Sequence, residues 1–155
     1  MNNLISFGLH KIIKKDCVKS LEIKENEKVL DLCTGTGDLA EFEYEYSKNV
    51  TGVDFSENML KIAKKKFPQI KFINADCTNL PFKDNSFDVI TIAYGLRNIP
   101  DKEKLMSEIY RVLKPNGKFL HLDFGKKNIF FKIFEIVTPL SAKIFSKDKI
   151  AYKYL

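Results

Sequence analysis

The stretch 31–40, DLCTGTGDLA, decides how this chain is read. It follows Val29-Leu30, and residues 28–32, KVLDL, read as a short buried strand with the acid Asp31 at its end. Two glycines, Gly35 and Gly37, then flank Thr36. Lacking a β-carbon, glycine lets the backbone turn sharply and come close to a ligand. A helix is expected to start near Gly37 or Asp38 and to carry Leu39, Phe42 and Tyr46.

Outward from this turn the pattern repeats. NVTGVDF (49–55) reads as a second strand, and Ser56 as the N-cap of a helix carrying Met59, Leu60, Ala63 and Phe67. IKFINAD (70–76) is a third strand and FDVITIAYG (87–95) a fourth. Residues 101–114 predict a helix with Leu105, Ile109 and Leu113 inward; PNG (115–117) stops it, and KFLHLDF (118–124) is a fifth strand. Upstream, Ile12, Ile13, Cys17, Val18 and Leu21 predict an amphipathic helix over 10–22. Downstream, NIFFKIFEIVTPLSAKIF (128–145) is strongly apolar. Ile129, Phe130, Ile133, Phe134 and Val137 form one helical stripe, which Phe131 and Ile136 broaden and Pro139 kinks or ends.

Strands alternating with helices imply a parallel sheet covered on both faces. Ligands bind such sheets beyond the carboxyl ends of the strands. Asp31, Asp54 and Asp76 each fall at such an end, as do Ala93-Tyr94 and Asp123.

The bulk properties narrow the choice. A chain of 155 residues suits one domain with one core. The net charge of +6 comes from scattered lysines and reads as a solvated surface rather than a nucleic-acid face. Three cysteines far apart (Cys17, Cys33, Cys77) and only two histidines (His10, His121) argue against a disulfide framework or a metal site, and fit a reducing cytoplasm. The opening MNNLISFGLHKIIKK does not read as a signal peptide, and no apolar run approaches a membrane span.

Charge selects the ligand. Gly35-Thr36-Gly37 with Asp54 about 20 residues later resembles a dinucleotide fingerprint, but the full G-x-G-x-x-G spacing is absent: position 40 is Ala, which can substitute at the last glycine, and position 33 is Cys. A pyrophosphate beside Asp31 and Asp38 would be repelled. S-adenosylmethionine (SAM), with a sulfonium and an ammonium and no phosphate, suits the acids. In that reading Gly35 and Gly37 admit the methionine part, and Thr36 hydrogen-bonds it. Asp54 accepts both ribose hydroxyls, Asp76 accepts from the adenine amino group, Cys77 offers a backbone N–H, and Phe55 or Met59 walls the adenine. A nicotinamide-dependent oxidoreductase is the rival that Asp31 disfavours.

DLCTGTGDLA, GVDFSENML, AYGLRNIPD and RVLKPNGKFLHLDF closely resemble the ubiquinone/menaquinone C-methyltransferases, nearly end to end, with GLRN (95–98) the most specific block. The resemblance implies an α/β, Rossmann-like class I methyltransferase fold: a mostly parallel sheet with helices on both faces. It implies Thr36, Asp54, Asp76 and Cys77 as SAM residues, and a lipophilic, reduced prenylated quinone as methyl acceptor. The family often has Ser where this chain has Ala93. One domain, 1–155, is expected, with an N-terminal helix at 3–22, a core at 27–125 and an apolar helical segment at 128–146. Members are longer and have seven strands, so the last two strands are expected to be missing. A fragment, a truncated variant or a chain completed by a partner fits that expectation, and an open sheet edge would favour a homodimer.

For the chemistry, Arg97 is expected to stabilise a quinol oxyanion and Asn98 to orient the ring oxygen, with Tyr94 and His121 as further acid–base candidates. The apolar segment 128–145 would line a groove for the prenyl chain, contact the inner face of the membrane, or cover the sheet. Methylation of another small molecule, or SAM binding without catalysis, remain the alternatives to quinol methylation.

Overall fold

The computed structural model describes residues 9–124 and 131–137, with side chains from 11 to 123. Its elements are α1 (Leu9–Ser20), β1 (Val29–Leu32), α2 (Asp38–Tyr46), β2 (Val50–Asp54), α3 (Glu57–Lys66), β3 (Lys71–Asn74), β4 (Phe87–Ala93), α4 (Lys102–Val112), β5 (Leu113–Phe124) and β6 (Phe131–Val137), with a 3-10 turn at Leu96–Asn98. The sheet runs β3-β2-β1-β4-β5-β6. The first five strands are mutually parallel and β6 is antiparallel to β5.

Local chemistry explains the element ends. Asp38 and Glu41 lie in the first turn of α2, where the helix dipole favours negative charge. Ser56 Oγ accepts from the Met59 N–H at the start of α3, as its position predicts, and Lys64, Lys65 and Lys66 occupy that helix's last turn. Asp101 caps α4 through the Lys104 N–H at 2.9 Å.

Burial on both faces of the sheet divides the core into two layers. Val29 packs with Cys17 and Val18 of α1, Leu21 just after it, Leu39 of α2 and Leu60 of α3. Leu30 and Leu32 point the other way, toward Ile90, Ile92 and α4's Leu105 and Ile109. Consecutive strand residues serve opposite faces, so VLDL is buried at all four positions. This is the strand signature of a parallel sheet with helices on both faces. The expected fold class holds.

Several element bounds differ from the sequence reading, most of all around α4 and β5. The helix expected over 101–114 ends at Val112, and Leu113 opens β5. Leu113 pairs with Phe87, then the register jumps so that Lys118 faces Val89. The PNG segment forms this irregularity: Asn116 has φ 65° and Gly117 packs against Leu113, where a β-carbon would come within 2.6 Å of Cδ1.

The apolar helical segment expected at 128–146 is instead a strand over Phe131–Val137, paired with Lys118–Phe124. That stretch is apolar at both helical and alternate spacings and rich in aromatic and β-branched residues, so periodicity alone misleads. The unpaired backbone edge of β5 selects the extended form. The described sheet therefore has six strands rather than the five counted in the sequence. At the other end, α1 covers Leu9–Ser20 of the helix expected at 3–22. Residues 3–8, and the parts of the apolar segment at 128–130 and after 137, lie outside the described residues.

Candidate functional site

Parallel register brings the carboxyl ends of the strands to one edge. Asp31 of β1 lies opposite Gly52 of β2 on one side and Thr91 of β4 on the other. The chain then leaves β1 in a turn with two left-handed residues, Cys33 (φ 55°) and Gly35 (φ 58°), before Gly37 (φ 83°) enters α2. The Thr34 N–H donates to the Val53 carbonyl at 3.0 Å, seating the turn on β2. Gly52 makes room for this: a β-carbon there would lie 2.9 Å from Thr34 Oγ1.

Asp54 organises the same turn. Its Oδ2 accepts from the Gly35 N–H and its Oδ1 from the Ser56 N–H, both at 2.8 Å. Each oxygen keeps further accepting capacity, so the carboxylate can still take ligand hydroxyls. Asp76, at the end of the third strand segment, accepts through Oδ1 from the N–H and hydroxyl of Thr78 at 2.8 Å. Those bonds hold its carboxyl below its usual range. It remains ionised near neutral pH, and Oδ1 carries the internal bonds while Oδ2 is left for a ligand donor.

Asp31 is buried, and burial pushes its pKa up to about 6 even though Thr34 Oγ1 donates to it at 2.6 Å. Thr91 links it to a second buried acid. The Thr91 hydroxyl lies 3.4 Å from Asp31 Oδ1 and 2.6 Å from Glu43 Oε1. Burial, reinforced by Asp31, drives Glu43 well above the usual carboxylate range. Its Oε2 has no hydrogen-bond partner among the described residues. With Glu43 protonated, an ionised Asp31 leaves only one buried negative charge in the pair.

Two adjoining cavities lie along this edge. One, of about 500 Å³, is lined by Asp31, Thr34, Thr36 and Asp38 with Lys14 of α1 and Lys66 of α3. The other, of about 730 Å³, is lined by Asp54, Phe55, Asp76, Cys77 and Asn98 among others. Cys33, Gly35, Met59, Ala93 and Tyr94 border both, so the two are halves of one groove. One half pairs two lysines with two acids; the other is mainly acidic, with Asp54, Asp76 and Asp101 beside the single cation Lys104 and apolar walls.

Most residues expected from the sequence meet there: Asp31, Gly35, Thr36, Asp54, Phe55, Asp76, Cys77, Ala93 and Asn98. Gly37 does not line the groove. Its missing β-carbon serves packing, since one would sit 2.9 Å from the ring of Phe72 and 3.0 Å from that of Phe67. Arg97 lines neither cavity. Its guanidinium reaches Asp123 at 3.6 Å, and its Nε donates to the Tyr94 carbonyl at 3.4 Å. His121 is buried on β5, and burial lowers its pKa, so it is neutral at pH 7.

Tyr94, held at φ 59°, has its phenol pushed up to about 12 by burial and stays protonated. Cys33 and Cys77 approach to 3.9 Å between sulfurs at the junction of the halves. The contact pushes Cys33 up and holds Cys77 down.

Sequence reading missed Lys14, Glu43 and Thr91. Glu43 carried a signal, since it falls four residues after Leu39 on the inner face of α2. Thr91 reads only as a strand residue. Nothing separates Lys14 from the other lysines of its helix.

Comparison with known proteins adds an independent line. The profile of the ubiE/COQ5 methyltransferase family matches residues 1–155. A demethylmenaquinone methyltransferase of Staphylococcus epidermidis is 41% identical over 167 residues, covering 100% of this chain and 69% of that protein. YcgJ of Bacillus subtilis superposes with a TM-score of 0.70 at 31% identity, over 74% of this chain and 50% of its own. The Haemonchus contortus phosphoethanolamine N-methyltransferase 2, solved with S-adenosylhomocysteine, superposes with a TM-score of 0.69 at 31% identity. That match covers 74% of this chain and 28% of the nematode protein. The chain thus spans about two thirds of its curated relative and half or less of these solved structures.

Proposed function

From the premise that the chain belongs to the ubiE/COQ5 methyltransferase family, we propose that it is a SAM-dependent C-methyltransferase acting on a reduced, prenylated quinone precursor of the demethylmenaquinol type. One observation carries the cofactor reading: Asp31, Asp54 and Asp76 stand in sequence along a single groove at the carboxyl edge of the sheet. The donor set fits. The buried acid meets an ammonium or sulfonium, Asp54 keeps accepting capacity for ribose hydroxyls, and the acidic half with Phe55 and Met59 suits an adenine. Bound there, SAM supplies an electrophilic methyl group on a positively charged sulfur.

The chain's own residues then position and polarise. Asp31 and Asp54 hold the amino-acid end and the ribose of the donor at a fixed separation, and such positioning contributes a large share of the rate gain in a group transfer. Tyr94, protonated at neutral pH, serves as a hydrogen-bond donor rather than as a base. Asn98 faces the groove and is assigned to the acceptor's ring oxygen. Arg97, next to it, is assigned to the negative charge that a deprotonated quinol carries, a role that needs it to exchange Asp123 for substrate. A prenylated substrate also calls for an apolar surface. No helix among the described residues is long and apolar enough to cross a membrane. The segment 128–145 is the candidate for prenyl or peripheral membrane contact at the cytoplasmic side, and the sheet edge the candidate for a second copy of the chain.

Titration calorimetry with SAM, followed by methylation of reduced demethylmenaquinone by the purified chain, tests the reading. Binding with transfer to carbon supports it. Transfer only to a water-soluble phenol moves the substrate to another small molecule. Binding without turnover on any phenol leaves a cofactor-binding module, and absence of binding removes the cofactor assignment.

A further inference from the structure

The charges of the first cavity do not all follow from a cationic ligand. Two lysines, Lys14 and Lys66, line it together with Asp31 and Asp38. Lys66 is accounted for: it pairs with Asp38 and lies over the Phe67 ring at 4.9 Å. Lys14 differs. It is half-buried on α1, whereas Lys11, Lys15 and Lys19 of the same helix are exposed. Its ammonium lies 5.8 Å from the centre of the Tyr94 ring, which lines the groove, and its charge works to lower the pKa of both Asp31 and Asp38. A partly desolvated cation costs free energy. Beside a ligand that carried only positive charge it would also repel.

Building on the SAM reading, we propose that Lys14 binds the α-carboxylate of the donor's amino-acid end while Asp31 binds the α-ammonium. An α-amino acid carries its two charges on one carbon, so their counter-charges must stand side by side. Lys14 and Asp31 line the same cavity and feel each other's charge. Lys66 already has Asp38, which leaves Lys14 for the carboxylate. The Tyr94 ring, just past β4, faces the lysine's ammonium at 5.8 Å. The cavity is thereby a receptor for a zwitterion, and it discriminates the full donor from nucleosides that lack the carboxylate.

The test compares two ligands on the whole chain by calorimetry: SAM, and decarboxylated SAM, which keeps the sulfonium, the amine and the nucleoside. Lys14→Ala should weaken SAM by about tenfold or more, the scale of one charge-assisted hydrogen bond. It should leave decarboxylated SAM, which Lys14 can only repel, undiminished or somewhat tighter, and that retained binding also reports an intact fold. Lys14→Arg should restore most of the SAM affinity. Equal weakening of both ligands by Lys14→Ala, or no weakening of either, overturns the carboxylate role while the SAM assignment stands. A wild-type chain that binds neither ligand overturns both.

Discussion

Asp31 shows how one residue sets function against stability. Its folded-state pKa is about 6, against 3.8 for the free group. Between those values the folded form holds a proton that the unfolded chain releases. The group's contribution to folding is therefore most favourable at low pH and is lost as pH rises through about 4 to 6. The difference corresponds to roughly 3 kcal/mol at 1.36 kcal/mol per pKa unit. Asp31→Asn removes that dependence. Relative to wild type, the ligand-free variant should gain on the order of 2–3 kcal/mol between pH 4 and pH 7 in denaturant unfolding, while its SAM affinity at pH 7 falls. His121 acts with the opposite sign, since its lowered pKa favours folding at higher pH, but it is common to both proteins and cancels in the comparison. A difference that does not vary with pH would show that Asp31 is ionised at no cost in the fold.

Asp54 is the second residue whose role can be separated. It ties Gly35 and Ser56 together and is assigned to the ribose. Asp54→Ala should weaken SAM at least about tenfold by calorimetry, consistent with loss of charged hydrogen bonds. An unchanged dissociation constant would take Asp54 out of the site. Neither residue needed the structure to be found: an acid at a predicted strand end, repeated at 31, 54 and 76, was legible from spacing. Glu43 and Lys14 were not, because what matters about them is the neighbour each faces across α2–β4 and α1–β1.

At the scale of elements, the turn between β1 and α2 works through its glycines in two different ways. Gly35 needs its left-handed backbone but has open space around a β-carbon. Gly37 needs both: φ is 83°, and Phe72 and Phe67 close over the position. Gly37→Ala should therefore cost about 2 kcal/mol or more, combining left-handed strain with overpacking. Gly35→Ala should cost about 1–2 kcal/mol, from backbone strain alone. Denaturant unfolding of the two variants checks the order, and a larger loss for Gly35→Ala would contradict it. Both glycines were visible in the sequence as a ligand-binding pair. Only packing shows that one of them shapes the helix entry instead.

The sheet as a whole gives the remaining prediction. β1 and β4 are central and buried on both faces, whereas β3 and β6 lie at the two edges. Amide hydrogen exchange should be slowest in Val29–Leu32 and Phe87–Ala93, and faster in Lys71–Asn74 and Phe131–Val137. Protection of 131–137 with the ladder of β5 would support the antiparallel strand. A helical pattern of protection there would restore the reading made from periodicity.

The alternation of apolar strands with amphipathic helices, and the acid that closes each strand, were set by residue order alone, because both are local properties: side-chain period and turn chemistry act over a few positions. What lay beyond the sequence was every property that needs two distant segments to meet. The extended form of 131–137 depends on the open edge of β5. The raised pKa of Glu43 depends first on its burial under the folded sheet and then on Asp31 across Thr91. The distinction of Lys14 from its neighbours depends on the groove it faces. Burial and opposed charge decide these, and neither exists until the chain has folded.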